Sequence, residues 1–253
     1  MKSGIVHGRS PWLAAVALLT AVGCGGSDGS DGSDTVVSLN YVAQGWPLGM
    51  AASNNPANGP RLQAEAPRQM RNVPSGSDAT RYWSQLRFGS PEKPNRFVLL
   101  VDDTRPEPVR IYLDANQNGD LGDDSGPLDN RGTGAFARTL DLRLSYPGLP
   151  DPQAYRIWFF INDRGWKTHT CAFYSQCHRR GTLAVGGRTL TLVLFDNPAD
   201  GDYSNDLLVV DLNGSGKVDA DEEFEPGEVI GDTQLKLKSI SPAGDRVVLT
   251  PVR

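Results

Sequence analysis

The sequence predicts a mainly β protein whose body is antiparallel and β-sandwich-like. Apolar and polar residues alternate with a period of two in many short segments, and a helical period does not recur. The same order of parts, two strands and then an acidic loop, also occurs twice at a separation of about 97 residues. This recurrence favours two related modules that arose from an internal repeat.

The predicted strands follow one another from residue 35 to the end of the chain. The segment TVVSLNYV predicts the first strand, and residues 44–80 form a long irregular stretch rich in Pro, Gly, Asn and Ala. Gly186 and Gly187 mark the turn of a hairpin. Further strands are expected in RFVLLV (96–101), VRIYL (109–113), LDLRL (140–144), YRIWFFI (155–161), QLKLK (234–238) and RVVLT (246–250).

The N-terminus has the pattern of an export signal followed by a tether. Lys2 and Arg9 form a short basic region. They precede an apolar run that is too short to span a bilayer comfortably and that ends before Cys24. We interpret residues 1–23 as a signal peptide and 24–34 as a flexible Gly/Ser/Asp tether. The TAVGC ending resembles the lipobox of bacterial lipoproteins, which implies lipidation at Cys24. A plain signal peptide with an incidental Cys is the alternative.

The rest of the chain divides into three predicted parts. Residues 35–80 contain the first strand and the irregular segment, residues 81–165 form module 1, and residues 166–253 form module 2. Each module contains one of two matching acidic loops, which start at Asp114 and Asp211, and two alternating strands follow each of them. The body is long enough to bury a sizeable core as one large domain or two small ones.

Residues 211–222, DLNGSGKVDADE, have the residue types of a calcium loop. Ca²⁺ takes six to eight oxygen ligands, and one loop supplies them when alternate side chains converge and the backbone turns sharply midway. Gly216 stands at the sharp turn. The predicted ligands fall at alternate positions and at the twelfth: Asp211, Asn213, Ser215, the backbone carbonyl of Lys217, Asp219 and Glu222. The clustered carboxylates repel one another unless a cation or a basic partner compensates them.

Two other acidic segments are candidates for the same chemistry. Residues 114–125, DANQNGDLGDDS, have Ser125 at position twelve, so a nearby Asp must replace it; the predicted ligands are Asp114, Asn116, Asn118, Asp120, Asp123 and Asp124. Residues 196–206, DNPADGDYSND, offer Asp196, Asp200 and Asp202, but Pro198 stands at the third position. We expect this segment to be degenerate as an independent site and its carboxylates to assist the neighbouring loop. For all three, the alternative is an ordinary polar turn.

The loops resemble those of the EF-hand superfamily, including its dockerin and thrombospondin-type variants. The resemblance covers about a dozen residues at each place and implies Ca²⁺ as the cofactor. EF-hands and dockerins place helices beside the loop, whereas here VRIYL and LLVV lead in as strands and helix breakers follow. We therefore expect a calcium loop within a β module rather than a dockerin that docks to a cohesin.

Cys171 and Cys177 are the two cysteines of the body. An exported compartment is oxidising, so we predict a disulfide between them. His169 and His178 flank this pair, and a zinc or copper site built from the four residues is the alternative.

The functional prediction is a calcium-binding lipoprotein of the bacterial cell envelope, held at the outer membrane or cell surface by its N-terminal lipid. No HExxH, GxSxG or P-loop pattern occurs, so we expect a structural or binding role with an unknown protein or carbohydrate ligand. The alternatives are a calcium-stabilised hydrolase of polysaccharide or peptide and a calcium-dependent protein-interaction module. The net charge of −5 and the lack of a basic stripe argue against a nucleic-acid partner.

Overall fold

The computed structural model describes residues 33–43, 59–75, 80–105, 109–219 and 221–252. The predicted signal peptide, Cys24 and most of the tether lie outside the described residues, so the predictions made for them stay predictions. No helix within the described residues has the length and apolar character needed to cross a bilayer.

The described residues form a mainly β body, as the period-two alternation predicted. The strands are β1 Thr35–Ser38, β2 Asn40–Val42, β3 Thr80–Phe88, β4 Asn95–Asp103, β5 Arg110–Leu113, β6 Phe136–Leu144, β7 Gln153–Ile161, β8 Ala172–Ser175, β9 His178–Val185, β10 Arg188–Leu194, β11 Leu208–Asp211, β12 Glu223–Phe224, β13 Leu235–Ile240 and β14 Arg246–Pro251. A short helix, α1 Asp163–Thr168, and a 3₁₀ turn, Tyr203–Asn205, complete the described secondary structure.

The strands assemble into several antiparallel sheets. Their orders are β3-β4-β5, β6-β7-β8, β12-β11-β10-β9-β2 and β1-β14-β13. The predicted first strand is divided between two of these sheets. Val37 pairs with Val247 in one sheet and Asn40 pairs with Arg180 in another, so the chain changes sheet at Leu39.

The two halves of the chain repeat one order of pairing. The meander β3-β4-β5 is followed by an acidic loop and the hairpin β6-β7, and the meander β9-β10-β11 is followed by an acidic loop, β12 and the hairpin β13-β14. The sheets nevertheless cross the predicted module limits. β8 follows residue 165 but pairs with β7, while β1 and β2 precede residue 80 but pair with β14 and β9.

The predicted hairpin forms at the expected glycines. Val185 pairs with Arg188, and Gly186 and Gly187 have φ of 57° and 74°. Two positive φ values at the central residues are the geometry of a type I′ turn, which matches the twist of the flanking strands. Glycine adopts this conformation without steric cost.

The central strand β4 is buried on both faces. Phe97, Leu99 and Val101 belong to the main core, whereas Val98 and Leu100 belong to a second apolar cluster with Trp83, Tyr112 and Leu121. Residues 59–75, which we call the strap, lie over this second cluster and contribute Ala66, Met70 and Val73. The irregular segment thus covers a sheet face without forming a strand or helix in its described part.

The two body cysteines are free thiols, and the predicted disulfide is wrong. Strand β8 lies between them, and an extended chain rises about 3.3 Å per residue. Residues six apart are then well beyond the about 7 Å between Cα atoms that a disulfide allows. The Sγ of Cys171 donates to the carbonyl of Pro60 at 3.3 Å, and the Sγ of Cys177 lies 3.3 Å from the amide nitrogen of Arg156.

Candidate functional site

The three acidic segments occupy the ends of strands. Loop 114 (residues 114–124) follows β5, loop 196 (residues 196–206) connects β10 to β11, and loop 211 (residues 211–222) connects β11 to β12. Loops 196 and 211 therefore lie at opposite ends of β11. The expectation that loop 196 assists its neighbour is wrong, because its carboxylates accept hydrogen bonds from their own loop and from Tyr155 instead.

All three loops have the same hydrogen bond between their first and sixth residues. In each, a glycine N–H donates to Oδ2 of the opening aspartate: Gly119 to Asp114 at 3.1 Å, Gly201 to Asp196 at 2.8 Å, and Gly216 to Asp211 at 3.1 Å. The three glycines have φ of 78°, 76° and 69°. A side chain there would strain the backbone, so the sharp turn explains the glycine at the sixth position.

A second shared hydrogen bond closes each loop. The N–H of the loop's second residue donates to a carboxylate near its end: Ala115 to Asp124 at 3.1 Å, Asn197 to Asp206 at 2.8 Å, and Leu212 to Glu222 at 2.8 Å. Asp206 is the site residue that the sequence reasoning missed. Its signal was its spacing, because Asp206 follows Asp196 by the same number of residues as Asp124 follows Asp114.

The side chains at the third and fifth positions form local turns. In these turns a side-chain oxygen accepts the backbone N–H of the residue two positions later. The donor and acceptor residues are Asn118 and Asn116 at 3.0 Å, Asp120 and Asn118 at 2.7 Å, Ser215 and Asn213 at 2.8 Å, Lys217 and Ser215 at 3.2 Å, and Asp202 and Asp200 at 2.8 Å. An ordinary polar turn would form the same bonds. These contacts alone do not distinguish a calcium loop from such a turn.

The loops also contain carboxylate oxygens without a hydrogen-bond partner. Among the described residues, four buried oxygens of the loops have no hydrogen-bond partner: Oδ1 of Asp114, Oδ2 of Asp124, Oδ2 of Asp206 and Oδ1 of Asp211. Burying a charged oxygen without a partner is costly. A cation inside the loop would supply the missing interaction.

Amide groups hold two of the remaining predicted carboxylate ligands. Asp123 accepts from the Nδ2 atoms of Asn118 at 2.7 Å and Asn116 at 3.3 Å. Asp219 accepts from Nδ2 of Asn213 at 2.9 Å. These bonds keep the carboxylates beside the oxygen donors of the third and fifth positions.

Asp120 differs from the other predicted ligands because its side chain faces the strap. Both of its carboxylate oxygens accept from Nδ2 of Asn72 at 2.9 Å, and one accepts from the N–H of Gly122 at 2.9 Å. Chiefly because of the Asn72 hydrogen bond, the pKa of Asp120 is lowered. A seventh-position residue contributes its backbone carbonyl to a calcium loop, so this orientation is compatible with a site.

Groups outside the loops contact Oδ2 of two opening aspartates, the oxygen that also accepts the loop's glycine N–H. Arg68 of the strap forms an ion pair with Oδ2 of Asp114, and the Tyr155 hydroxyl donates to Oδ2 of Asp196. In loop 114 this leaves Oδ1 as the oxygen without a partner. Arg68 therefore compensates the charge of Asp114 through Oδ2 and leaves Oδ1 without a partner.

Loop 196 is the most deeply buried of the three. Asp196 is fully buried and Asp206 is 3% exposed. The pKa of Asp196 is raised to about 7 and that of Asp206 to about 8, mainly because both are buried and also because neighbouring carboxylates disfavour the charge. Burial likewise raises the pKa of Asp200 and, in loop 114, that of Asp124.

Within the part of the chain that the structure describes, no three His, Cys, Asp or Glu side chains form a cluster able to hold a metal ion. This finding covers the three loops and the His169, Cys171, Cys177 and His178 segment, where zinc or copper was the alternative. Loops 114 and 211 have Asn, Ser and backbone oxygens at several ligand positions, so a site there would rest on few carboxylates.

Three described cavities have volumes of about 270, 610 and 280 Å³. None of the three has an Asp or Glu in its wall. They therefore lack the two facing carboxylates that a glycosidase would need.

No protein-family model, curated protein or solved structure matches this chain.

Proposed function

We propose that loops 114 and 211 each bind one Ca²⁺, and that the protein is a calcium-stabilised β body with a structural or binding role in the bacterial cell envelope. The observation that supports this proposal is that each closed loop has a buried oxygen without a hydrogen-bond partner on its opening aspartate, Asp114 or Asp211. The lipid anchor at Cys24 remains part of the proposal on sequence grounds alone.

The chemistry of the donors favours calcium over magnesium. Mg²⁺ requires a near-octahedral set and keeps several waters, whereas Ca²⁺ accepts six to eight oxygens in flexible geometry. Loop 211 offers two carboxylates near its end, Asp219 and Glu222, besides that of Asp211. Glu222 is 1% exposed and accepts N–H groups from Leu212 and Asp219 on its two oxygens, so it is already turned into the loop.

Calcium in these loops would stabilise the connections between strands. Extracellular modules bind Ca²⁺ with Kd of about 10⁻⁴ to 10⁻³ M, which suits constant occupancy outside the cell and not signalling. Loop 211 connects β11 to β12, and loop 114 contacts the strap through Arg71, whose N–H donates to the carbonyl of Gly119 at 2.8 Å. An ion in either loop would therefore stabilise contacts beyond the loop itself.

Isothermal titration calorimetry with CaCl₂ tests the metal sites. The wild-type protein should bind Ca²⁺, and Asp114→Asn and Asp211→Asn should each lose one binding event. Asp129→Asn is the matched control, because Asp129 is exposed, lies outside the three loops and forms a surface ion pair with Arg131. If the wild type gives no binding heat, or if both loop variants give the same titration as the wild type, the loops are ordinary polar turns.

A labelling experiment tests the anchor separately. Cells that express the wild-type chain should incorporate radiolabelled palmitate into the protein, and Cys24→Ala should abolish the label. Label that persists in Cys24→Ala would contradict the lipoprotein proposal without affecting the calcium proposal.

A further inference from the structure

We propose that the cavity between the strap and helix α1 binds a small anionic ligand, whose carboxylate or phosphate group is held by the side chains of Arg61 and Arg164. The cavity has a volume of about 270 Å³. This inference goes beyond the proposed function, because no residue of loop 114 or loop 211 lies in the wall of the cavity. It gives the body a binding site that does not depend on calcium.

Backbone contacts hold the two sides of the cavity together. The strap runs antiparallel to the segment that follows α1, and Arg61 pairs with Thr170 in an isolated β-bridge. The N–H of Cys171 donates to the carbonyl of Pro60 at 3.0 Å. The N–H of Thr170 donates to the carbonyl of Gly165, within α1, at 2.8 Å. These contacts fix the strap and α1 relative to each other, so the wall of the cavity is formed before a ligand binds.

The wall of the cavity carries positive charge and no negative charge. Arg61 of the strap and Arg164 of α1 are its charged residues, while Asp163, the neighbour of Arg164 in the chain, is not part of the wall. Among the described residues, neither arginine forms an ion pair. Guanidinium groups bind carboxylate and phosphate groups through two parallel hydrogen bonds. Two such groups from different elements, facing one cavity of an acidic protein, therefore point to an anionic ligand.

The uncharged part of the wall suits the rest of a small ligand. Oδ1 of Asn162 accepts the N–H of Gly165 at 2.7 Å, which leaves the two N–H groups of its amide as donors. Thr168 and Thr170 add hydroxyl groups whose oxygens lie 2.9 Å apart, and Phe160 adds apolar surface. The volume of about 270 Å³ is just below the roughly 300–1,000 Å³ of most small-molecule sites. The cavity therefore fits a single small molecule and not a polymer segment.

Titrations followed by ¹H–¹⁵N NMR test this site. The probes are sodium glucuronate, which carries a carboxylate on a monosaccharide, inorganic phosphate, and uncharged glucose. The protein is first depleted of calcium on a chelating resin, so that the calcium loops do not contribute, and is kept in low-salt Tris buffer. We expect at least one anion at millimolar concentration to shift the amide signals of α1 and of the start of the strap, and glucose to leave them unchanged. The anion that binds more tightly identifies the ligand group as carboxylate or phosphate.

Variants of the two arginines locate the binding. Arg61→Gln and Arg164→Gln should each weaken binding of that anion about tenfold or more, because each removes charged hydrogen-bond donors. Arg143→Gln is the matched control, since Arg143 is an exposed arginine of β6 outside the wall of the cavity. Arg61 and Arg164 are also exposed, so both variants should fold, and either one alone suffices for the test. Raising the salt concentration should weaken binding to the wild type, because salt screens the charges.

The outcomes separate this inference from the proposed function. If neither anion binds to the wild type, the anion site is overturned and the calcium sites are unaffected. If an anion binds equally well to the wild type, Arg61→Gln and Arg164→Gln, the cavity is not its site and the inference is overturned. Glucose that binds as tightly as the anions would show that charge is not recognised, which also overturns it. A failure of the calcium titrations would leave this inference unchanged.

Discussion

Replacing Asp211 by Asn separates calcium binding from turn formation in loop 211. In the structure, Oδ2 of Asp211 accepts the N–H of Gly216 at 3.1 Å, while Oδ1 is buried without a hydrogen-bond partner among the described residues. An Asn can keep the first contact through its oxygen, and its amide group then occupies the position of Oδ1. The turn is preserved, but the charged ligand is lost.

The expected size of the effect follows from linkage. With a Kd of about 10⁻⁴ M and about 1 mM Ca²⁺, one site stabilises the folded state by about 1.4 kcal/mol. For a body of this size, each 1 kcal/mol shifts Tm by about 2–4 °C, so Asp211→Asn should lower Tm by about 3–6 °C in calcium. Without calcium no hydrogen bond is lost and a buried, unpaired charge is removed, so the variant should be no less stable than the wild type.

Thermal unfolding followed by tryptophan fluorescence measures both values. Wild type, Asp211→Asn and the control Asp129→Asn are compared in EDTA, in 1 mM CaCl₂ and in 1 mM MgCl₂. A wild-type Tm that is the same in EDTA and CaCl₂ would refute the calcium reasoning. A variant that loses equal stability in both solutions would show that Asp211 acts only as a turn residue.

Three other predictions concern different parts of the molecule. Thiol titration should find no reactive body cysteine in the folded protein, because Cys171 and Cys177 are both buried, and two in the denatured protein, because they are not bonded to each other. If denaturation without reductant exposes no body thiol, the two cysteines form a disulfide after all. The raised pKa values of Asp196, about 7, and Asp206, about 8, mean that the calcium-depleted folded state binds more protons than the unfolded state between about pH 4 and 8, so its stability should decrease as pH rises through this window. Denaturant unfolding at pH 5 and pH 8.5 checks this. If the free energy of unfolding changes with pH as much in Asp206→Asn as in the wild type, the prediction is contradicted. Arg68→Gln should lower the free energy of unfolding by about 1–3 kcal/mol, because it removes the partner of a buried carboxylate; urea unfolding in EDTA that is unchanged from wild type would show that this ion pair is not stabilising.

The strands were predictable because their signal is local. In segments such as LDLRL, alternate residues face the core, and β6 accordingly has Leu140, Leu142 and Leu144 buried with Asp141 and Arg143 exposed. Helix α1 was missed because its six residues show no helical period. Its signals are a capping bond from the Gly165 N–H to Asn162 Oδ1 at 2.7 Å and a left-handed residue at His169.

The disulfide prediction failed for the opposite reason. Cysteine count and compartment concern chemistry, whereas bond formation depends on distance. The sequence between Cys171 and Cys177 also forms strand β8, and strand pairing with β7 holds that segment extended. The cysteine count and the compartment do not reveal that this segment is extended.

By itself, the sequence determined the β class, the Gly186–Gly187 hairpin and the residue types of the acidic loops, because each depends on residues close together in the chain. Only the tertiary structure decided that the strap covers the second apolar cluster, that Arg68 and Tyr155 contact Oδ2 of Asp114 and Asp196, and that Asp206 closes loop 196. Burial is also decided there, since the exposure of a carboxylate depends on what packs around it. The residue types of the loops therefore follow from the sequence, whereas the burial and hydrogen bonding of their carboxylates follow from the fold.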